Sequence, residues 1–234
     1  DYRNINGGDI NSGDDWTSLL NKCVMMRDLG AGAIALLLDD IQPDLTAKIG
    51  MSEGAAHAAL ANAVYAAVGL PLLLTPRIYA DEVMHHDIMK AGKDDDAYWP
   101  ELTARLHDDI TYLICGTHVV APDTGLEDTV MAAAGADINH VVIWDNFYAH
   151  DYCPRRLFTG AWRGQHHERG TANGSKQDLM LNPTGMVASD KMLLSLMAAG
   201  DDEAAWRNVL AAHGVPDAFH VVAHYFDRPP WPDE

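Results

Sequence analysis

Five short apolar runs, alternating with helical patterns, constrain the fold of this chain more than any other feature. Continuous apolar runs of this length are typical of strands in a parallel sheet that is covered on both faces. Their alternation with helical patterns predicts successive parallel β/α units, and therefore an α/β fold. The predicted strands are Ala33–Leu38, Leu70–Leu74, Ile110–Ile114, Val141–Trp144 and Leu179–Leu181, and the predicted helices are Trp16–Leu29, Glu53–Val68, Trp99–Leu106, Gly125–Ala134 and Asp190–Ala199.

The net charge of the chain limits the classes of molecule that it can be expected to bind. Among 234 residues, 34 are acidic and 16 are basic, which leaves a formal net charge of −18. Such a chain repels phosphate backbones and anionic lipid headgroups, so we expect neither a nucleic acid nor a membrane partner. No apolar stretch approaches the roughly 18–20 residues of a membrane span. The length favours one large α/β domain over two small ones.

The cysteines argue against a disulfide framework and against a structural zinc site. Cys23, Cys115 and Cys153 are odd in number, widely spaced and without a CxxC pair. This usage is typical of a reducing compartment, and we expect a cytoplasmic rather than a secreted protein. The chain begins at Asp1 without a visible signal peptide, which is typical of a processed or excised piece.

Polar residues follow each predicted strand. In a (β/α) barrel the active site lies at the carboxyl ends of the strands, whereas an open doubly wound sheet uses only its switch point. We therefore expect the functional residues among these clusters. They are Asp39-Asp40, Thr75-Pro76 with Tyr79, Cys115-Gly116, Trp144-Asp145-Asn146 and Asn182-Pro183.

Asp39 and Asp40 differ from the other acidic pairs of the chain because they end a predicted buried strand. Two carboxyls there are costly to desolvate unless they are paired, hydrogen-bonded or protonated. Neighbouring acids in unlike surroundings can hold their protons differently, as acid–base hydrolysis requires. A structural hydrogen-bonding pair explains the same residues equally well.

Two other motifs match catalytic or cofactor patterns in the wrong context. Gly50–Gly54 fits the G-x-S-x-G nucleophile motif, but the polar segment before it contains Pro43 and is not a strand. Ser52 is therefore predicted to cap a helix. Gly30–Ala35 fits a dinucleotide fingerprint but follows a helix and opens a strand, so we expect a tight turn.

The twelve histidines raise the question of a metal site. Neighbouring histidines, as in His85-His86 and His166-His167, point in different directions and chelate one ion poorly. The sequence contains neither HExxH nor HxH. We expect surface or loop histidines, no metal and no cofactor, although a site assembled from distant positions stays open.

The cluster Trp144-Asp145-Asn146, followed by Asp151 and Tyr152, is suited to a sugar. Aromatic rings stack on the apolar face of a sugar ring, while carboxylate and amide groups bind its hydroxyls. A packed tryptophan beside a capped loop is the alternative for this cluster alone.

Taken in order, the motifs resemble those of the hyaluronidase-like β-N-acetylglucosaminidases, a family that includes the protein O-GlcNAcases. The similarity runs from about Gly8 to Trp206. Each motif is short, but their order and spacing together are specific. The motifs are Leu36–Ile41, Ala56–Ala58 with Asn62, Thr75–Tyr79, Gly116–Val120, Val142–Asn146 with Asp151-Tyr152, Arg156–Phe158 with Gly160, and Leu181–Pro183.

The resemblance implies a retaining glycosidase whose nucleophile is the substrate's own 2-acetamido oxygen. Asp39 would polarise the acetamido N–H while an oxazoline forms. Asp40 would protonate the leaving oxygen and then activate water. Asn146 would support this acidic pair. No enzyme carboxylate bonds to the sugar, unlike in the usual retaining mechanism.

The resemblance also implies a set of substrate-binding residues. Asp151 would hold the O4 and O6 hydroxyls, and Asn182 would hold O3. Tyr79, Val119 and Trp144 would line the pocket for the acetyl group. We expect the substrate to be a protein or a glycan that carries terminal GlcNAc.

The chain departs from the family pattern at three strand ends. Thr75 stands in place of a small polar cysteine, and His150 in place of an asparagine. Cys115 stands in place of a threonine. We keep Cys115 among the substrate-binding residues because it directly follows the third predicted strand.

The larger departure is at the front of the chain. The resemblance implies a TIM-type (β/α)8 barrel, of which this chain would hold about the last five β/α units and the start of a C-terminal helical region. Five strands cannot close that barrel. We expect residues 1–200 to form a partial catalytic barrel, completed by a second chain or by an absent N-terminal segment, and residues 201–234 to form a helical extension.

Three functions remain open at this point. The first is a β-N-acetylglucosaminidase, and the second is a glycan-binding domain without turnover. The third is a metal-dependent hydrolase that uses the histidines.

Overall fold

The computed structural model describes residues 13–41, 50–84, 95–120, 125–150, 156–162 and 178–228. The chain divides into two compact units. Unit 1 comprises residues 1–114 and 126–142, and unit 2 comprises residues 115–125 and 143–234. The predicted boundary between a barrel and a helical extension after residue 200 stays a prediction.

Five strands form one sheet, in the five places where the apolar runs predict them. Each strand is hydrogen-bonded to the next, in the order β1-β2-β3-β4-β5. The β1–β2 pair is parallel from Ile34↔Leu72 to Leu37↔Thr75, and the β2–β3 pair is parallel with Leu73 opposite Thr111. The strands are β1 Ile34–Leu37, β2 Leu72–Thr75, β3 Thr111–Ile114, β4 Val141–Asp145 and β5 Asp178–Leu181.

In the described part of the chain, helices precede β1, separate the first four strands and follow β5. The α-helices are α1 Asp14–Asp28, α2 Glu53–Val68, α3 Asp95–Thr103, α4 Val130–Ala133, α5 Val187–Ala199 and α6 Glu203–Ala212. Short 3₁₀ helices cover Asp81–Val83, Leu126–Asp128, Asp217–Val221 and Ala223–Tyr225. Among the described residues, no helix is long and apolar enough to cross a membrane.

The prediction of one continuous helix over Gly125–Ala134 is wrong. The helix is interrupted at Thr129, whose backbone is extended and whose hydroxyl accepts a hydrogen bond from the amide of Ala132. A threonine with this conformation caps a new helix rather than continuing the old one. Ser52 occupies the predicted N-cap position of α2, but its side chain makes no capping hydrogen bond.

The expectation that all five strands are covered on both faces is wrong for the two outer strands, β1 and β5. Leu37 in β1 is 51% exposed and Met180 in β5 is 41% exposed, whereas most residues of β2 and β3 are buried. Within the described part of the sheet an outer strand has a neighbour on one side only, so its side chains meet fewer packing partners.

The core of unit 1 is built around the alanine-rich helix α2. Ala56, Ala58 and Ala61 are fully buried, and α2 packs closely on α3. A Cβ at Gly54 would overlap the carbonyl oxygen of Tyr98, so glycine is required there for the two backbones to approach. A helix that is apolar on most sides is suited to this buried position.

The core of unit 2 joins aromatic residues that follow β4 to the two long helices after β5. Trp206 donates from its indole nitrogen to the carbonyl of Thr159 over 2.6 Å. This links α6 to the segment 156–162. The fully packed members of the core are Phe147, Tyr148, Phe158, Met192, Leu193, Leu196 and Leu210.

Candidate active site

Asp39 and Asp40 lie directly past the carboxyl end of β1. The amide of Leu38 still donates to the carbonyl of Thr75 over 2.9 Å, so the sheet pairing extends to the residue before the acidic pair. Asp39 is half-buried and Asp40 is exposed. Asp40 has a φ of 56° and is the single non-glycine residue with positive φ in the described segments. Aspartate tolerates this left-handed conformation better than most residues, although it still costs roughly 1 kcal/mol.

The two carboxyls therefore have unlike surroundings. Burial raises the pKa of Asp39; a hydrogen bond from its own backbone lowers that pKa, and the neighbouring charge of Asp40 raises it again. Asp40 projects from the sharp turn into solvent. Such a difference between adjacent acids is what a division of acid–base roles requires.

Tyr79 follows β2 in a segment that is otherwise buried. Residues 74–78 and Ala80 are buried, whereas Tyr79 is half-buried. The aromatic ring is thus carried past the carboxyl end of its strand by a backbone that is embedded in unit 1.

Unit 2 holds a group of residues hydrogen-bonded to Asn146, here called the amide row, which follow β3, β4 and β5 in the chain. Asn146 donates from Nδ2 to the carbonyl of Val119 over 3.0 Å and to Sγ of Cys115 over 3.2 Å. Its Oδ1 accepts a hydrogen bond from Nδ2 of Asn182 over 2.9 Å. The structure therefore brings together four of the predicted substrate-binding residues, Cys115, Val119, Asn146 and Asn182.

Asp145 anchors the strand end on which the amide row is built. Its Oδ1 accepts from the amide of Phe147 at 2.7 Å, and its Oδ2 accepts from the indole of Trp162 at 3.0 Å. The carbonyl of Asp145 accepts from the amide of Asn182 at 2.8 Å. Burial raises the pKa of Asp145 to about 6, against the lowering effect of the hydrogen bonds from Phe147 and Trp162.

The sequence places Asp145 in the cluster Trp144-Asp145-Asn146, but no role was predicted for it. Residues Val141, Ile143 and Asp145 alternate with half-buried neighbours along β4, so all three face the buried side. This period of two in burial places the Asp145 carboxyl on the same side of β4 as Val141 and Ile143; the continuous apolar run in the sequence does not show it. Trp144 faces the other way and is half-buried.

Arg77 and its buried partners were also missed as a group. The Arg77 side chain is 1% exposed and pairs with Glu53 and Asp95. The partners lie 24 and 18 residues away, so no local pattern reveals the contact.

Several predicted residues lie outside the described part of the chain. These are Asp151, which was expected to bind sugar hydroxyls, Cys153, and the clusters His85-His86 and His166-His167. Within the described residues, no group of three or more His, Cys, Asp or Glu side chains is arranged to hold a metal ion.

A parallel sheet flanked by helices, with polar side chains at its carboxyl strand ends, defines an α/β protein of the β/α-barrel class. The fold comparison agrees. An O-GlcNAc hydrolase of Thermobaculum terrenum, solved in a mutant form, superposes with a TM-score of 0.69 at 15% identity. The match covers 91% of this chain and 47% of the other. The predicted fold class is thereby confirmed.

Sequence comparison gives the family. The family model for β-N-acetylglucosaminidase matches residues 6–220, and the chain therefore belongs to this glycoside hydrolase family. It is also similar to the protein O-GlcNAcases of Mus musculus and Rattus norvegicus, at 26% identity over 157 residues in each case. The matched region is 65% of this chain but only 16% of either relative.

Proposed function

We propose that this protein is a retaining β-N-acetylglucosaminidase that removes terminal GlcNAc by substrate-assisted catalysis. Family membership supports the reaction class. The observation that carries the proposal is the pair Asp39 and Asp40, two adjacent carboxyls in unlike surroundings at the end of β1. The names of the similar proteins favour GlcNAc attached to protein as the substrate, with a glycan as the alternative.

In the first step, the carbonyl oxygen of the substrate's 2-acetamido group attacks the anomeric carbon. The bond from that carbon to the aglycone oxygen breaks, and Asp40 gives its proton to this oxygen. The acetamido nitrogen keeps its proton and donates a hydrogen bond to ionised Asp39, so the ring that closes is a protonated oxazoline. This N–H donor stabilises the ionised form of Asp39, which burial alone disfavours.

In the second step, water attacks the anomeric carbon and Asp40 takes a proton from it. The bond between the anomeric carbon and the acetamido oxygen breaks, which restores the N-acetyl group. Two successive inversions give overall retention of configuration. The exposed position of Asp40 is suited to this exchange with water and with an aglycone.

Sugar recognition is assigned to the strand-end side chains. Asn182 would bind the O3 hydroxyl, and Asp151 would bind O4 and O6. Tyr79, Val119 and Trp144 would contact the acetyl group. Cys115 would belong to the wall of the sugar pocket, and Asn146 would support the acidic pair.

The test is hydrolysis of 4-nitrophenyl β-N-acetylglucosaminide by the protein, with the first-formed sugar anomer identified by proton NMR. We expect the β-anomer of GlcNAc and no turnover of the matched glucoside, which lacks the acetamido nucleophile. Equal turnover of the glucoside, or release of the α-anomer, would contradict the proposed mechanism.

A GlcNAc-binding protein without turnover is the second candidate. It is favoured by the amide row, in which Cys115, Val119 and Asn182 are each hydrogen-bonded to Asn146, all within unit 2 and without the acidic pair. Binding of a GlcNAc-oxazoline mimic, measured by calorimetry, with no hydrolysis of the activated glycoside would support this candidate over the first.

A further inference from the structure

A buried ionic cluster lies immediately behind the segment that carries Tyr79. Nε of Arg77 lies 2.8 Å from both carboxylate oxygens of Glu53, and Nη2 lies 2.7 Å from Oε2 of the same residue. Nη2 also pairs with Oδ1 of Asp95. All three side chains are at most 6% exposed. We refer to these residues, with Tyr98 and His57, as the Arg77 cluster.

The cluster ties three elements of unit 1 to one side chain. Glu53 is the first residue of α2, Asp95 is the first residue of α3, and Arg77 lies two residues past β2. Burial by itself would lower the pKa of Arg77, but the hydrogen bonds and charges of Glu53 and Asp95 outweigh it and raise that pKa. The guanidinium is therefore held charged in the interior.

The backbone of Arg77 is held as well as its side chain. Its amide donates to the hydroxyl of Tyr98 over 2.9 Å, and this hydroxyl lies 2.9 Å from Nδ1 of His57. The hydroxyl of Tyr98 therefore joins the backbone of Arg77 to the ring of His57. Burial and the charge of Arg77 lower the pKa of His57 to about 3, so the imidazole is neutral and can accept.

Because both the side chain and the backbone of Arg77 are held by hydrogen bonds, the residues that follow it have little conformational freedom. Ile78 is 1% exposed and Ala80 is 2% exposed, so Tyr79 lies between two buried neighbours with only its own ring half-buried. A buried ion pair adds little to net stability but specifies one geometry for the chain around it. The geometry specified here is that of Tyr79.

We propose that Arg77 is a positioning residue that holds Tyr79 against the substrate's N-acyl group and thereby sets the size of acyl group that the enzyme accepts. This inference rests on the proposed function, in which Tyr79 contacts the acetyl group. When the backbone of Tyr79 is fixed, the acyl pocket cannot widen, and an acyl group with one extra methylene is strongly disfavoured. When this backbone is looser, Tyr79 can move and the longer group is accepted.

The test compares kcat/KM for the 4-nitrophenyl glycosides of N-acetyl- and N-propanoyl-glucosamine, which differ by one methylene. This ratio is independent of the fraction of folded enzyme, so a purely structural loss does not move it. In Arg77→Lys, which cannot form the forked contact, we expect the acetyl preference to fall about three- to tenfold. Tyr98→Phe removes only the hydroxyl and should shift the ratio in the same direction, which keeps the test available if Arg77→Lys does not fold.

A double variant separates an effect through Tyr79 from any other. If Arg77 acts through Tyr79, Arg77→Lys should leave the ratio of Tyr79→Ala unchanged, because coupled residues are not additive. The matched control is Arg105→Lys, which alters an exposed ion pair with Glu101 in the same unit and should leave the ratio at its wild-type value.

An unchanged ratio in both Arg77→Lys and Tyr98→Phe, or additive effects in the double variant, would overturn the inference. These outcomes differ from failure of the proposed function, which would appear as no turnover of the N-acetyl substrate by the wild-type protein.

Discussion

Asn182 donates a hydrogen bond to Asn146 across the ends of β4 and β5, from Nδ2 to Oδ1 over 2.9 Å. The direction is set by Asn146, whose own amide nitrogen is engaged with Val119 and Cys115. Among the described residues, no group donates to Oδ1 of Asn182. Asn182 therefore presents an acceptor, which is suited to the proton of a sugar hydroxyl.

Changing Asn146 to aspartate tests the direction of the hydrogen bonds that this residue makes. The new carboxylate can still accept from Asn182, but it cannot donate to the carbonyl of Val119 or to Cys115. We expect a loss of about 1–3 kcal/mol in the free energy of unfolding and weaker binding of a GlcNAc-oxazoline mimic. Denaturant titration and calorimetry measure the two effects. The matched control is Asn208→Asp on the exposed side of α6, and an equal loss there would contradict the assignment.

Changing Asp40 to asparagine should affect substrates according to their leaving group. An activated phenol needs little protonation, so its hydrolysis should fall far less than that of a substrate with a poor leaving group. Asp39→Asn should lower the activity toward both kinds, because the acetamido group is no longer polarised. A steady-state comparison of the two leaving groups checks this, and equal losses in Asp40→Asn would count against its acid role.

The acid side of the pH profile should report Asp39. Burial, followed by the charge of Asp40, raises its pKa above 3.8, and the proposed mechanism needs its carboxylate form. We expect kcat/KM to decline with falling pH at a midpoint above pH 3.8. The midpoint is measured from the pH–rate profile of an activated glycoside, whose hydrolysis needs little protonation by Asp40. A midpoint at or below pH 3.8 would contradict the assignment.

Stability should depend on pH through Asp145. Its pKa is raised from 3.8 to about 6 in the folded protein, so between these values the folded state binds more protons than the unfolded state. The contribution of Asp145 to the free energy of unfolding should therefore fall as pH rises from about 4 to about 6, by at most about 3 kcal/mol, and level off above. The buried His57, whose pKa is lowered from 6.5 to about 3, contributes with the opposite sign over the same range, so the Asp145 contribution is obtained as the difference between the wild type and an Asp145 variant.

Urea unfolding across this pH range measures the effect. Asp145→Asn should make the free energy of unfolding rise more steeply with pH than in the wild type, because the contribution of His57 is no longer opposed, while Asp178→Asn, at an exposed carboxyl on β5, should keep the wild-type slope. A slope that Asp145→Asn leaves unchanged would contradict the raised pKa of Asp145.

Gly160 should not tolerate a side chain. Its amide donates to the carbonyl of Asp227 over 2.9 Å, and a Cβ at this position would overlap that same carbonyl oxygen. We expect Gly160→Ala to lower the free energy of unfolding by roughly 1–3 kcal/mol. Gly32→Ala is the control, because a Cβ there meets nothing within 4 Å. Similar thermal midpoints for the two variants would contradict this packing.

Local patterns in the sequence determined the approximate positions of the strands, to within two residues at each end, and which polar residues follow them. The apolar runs predicted all five strands, and the alternation with helices predicted their parallel order. These features depend on residues that are close in the chain, because the periodicity of a strand or helix is a short-range property. The placement of Asp39-Asp40 and of Asn146 at strand ends belongs to the same class.

Only the tertiary structure decided which groups form ion pairs and hydrogen bonds with one another, and how their pKa values are shifted. Arg77 is paired with residues 24 and 18 positions away, and Asn146 is joined to Asn182 across 36 positions. The raised pKa of Asp145 and the lowered pKa of His57 likewise follow from burial by distant segments. Burial and hydrogen-bond direction depend on what surrounds a group in space, and that environment is assembled from parts of the chain that no local pattern connects.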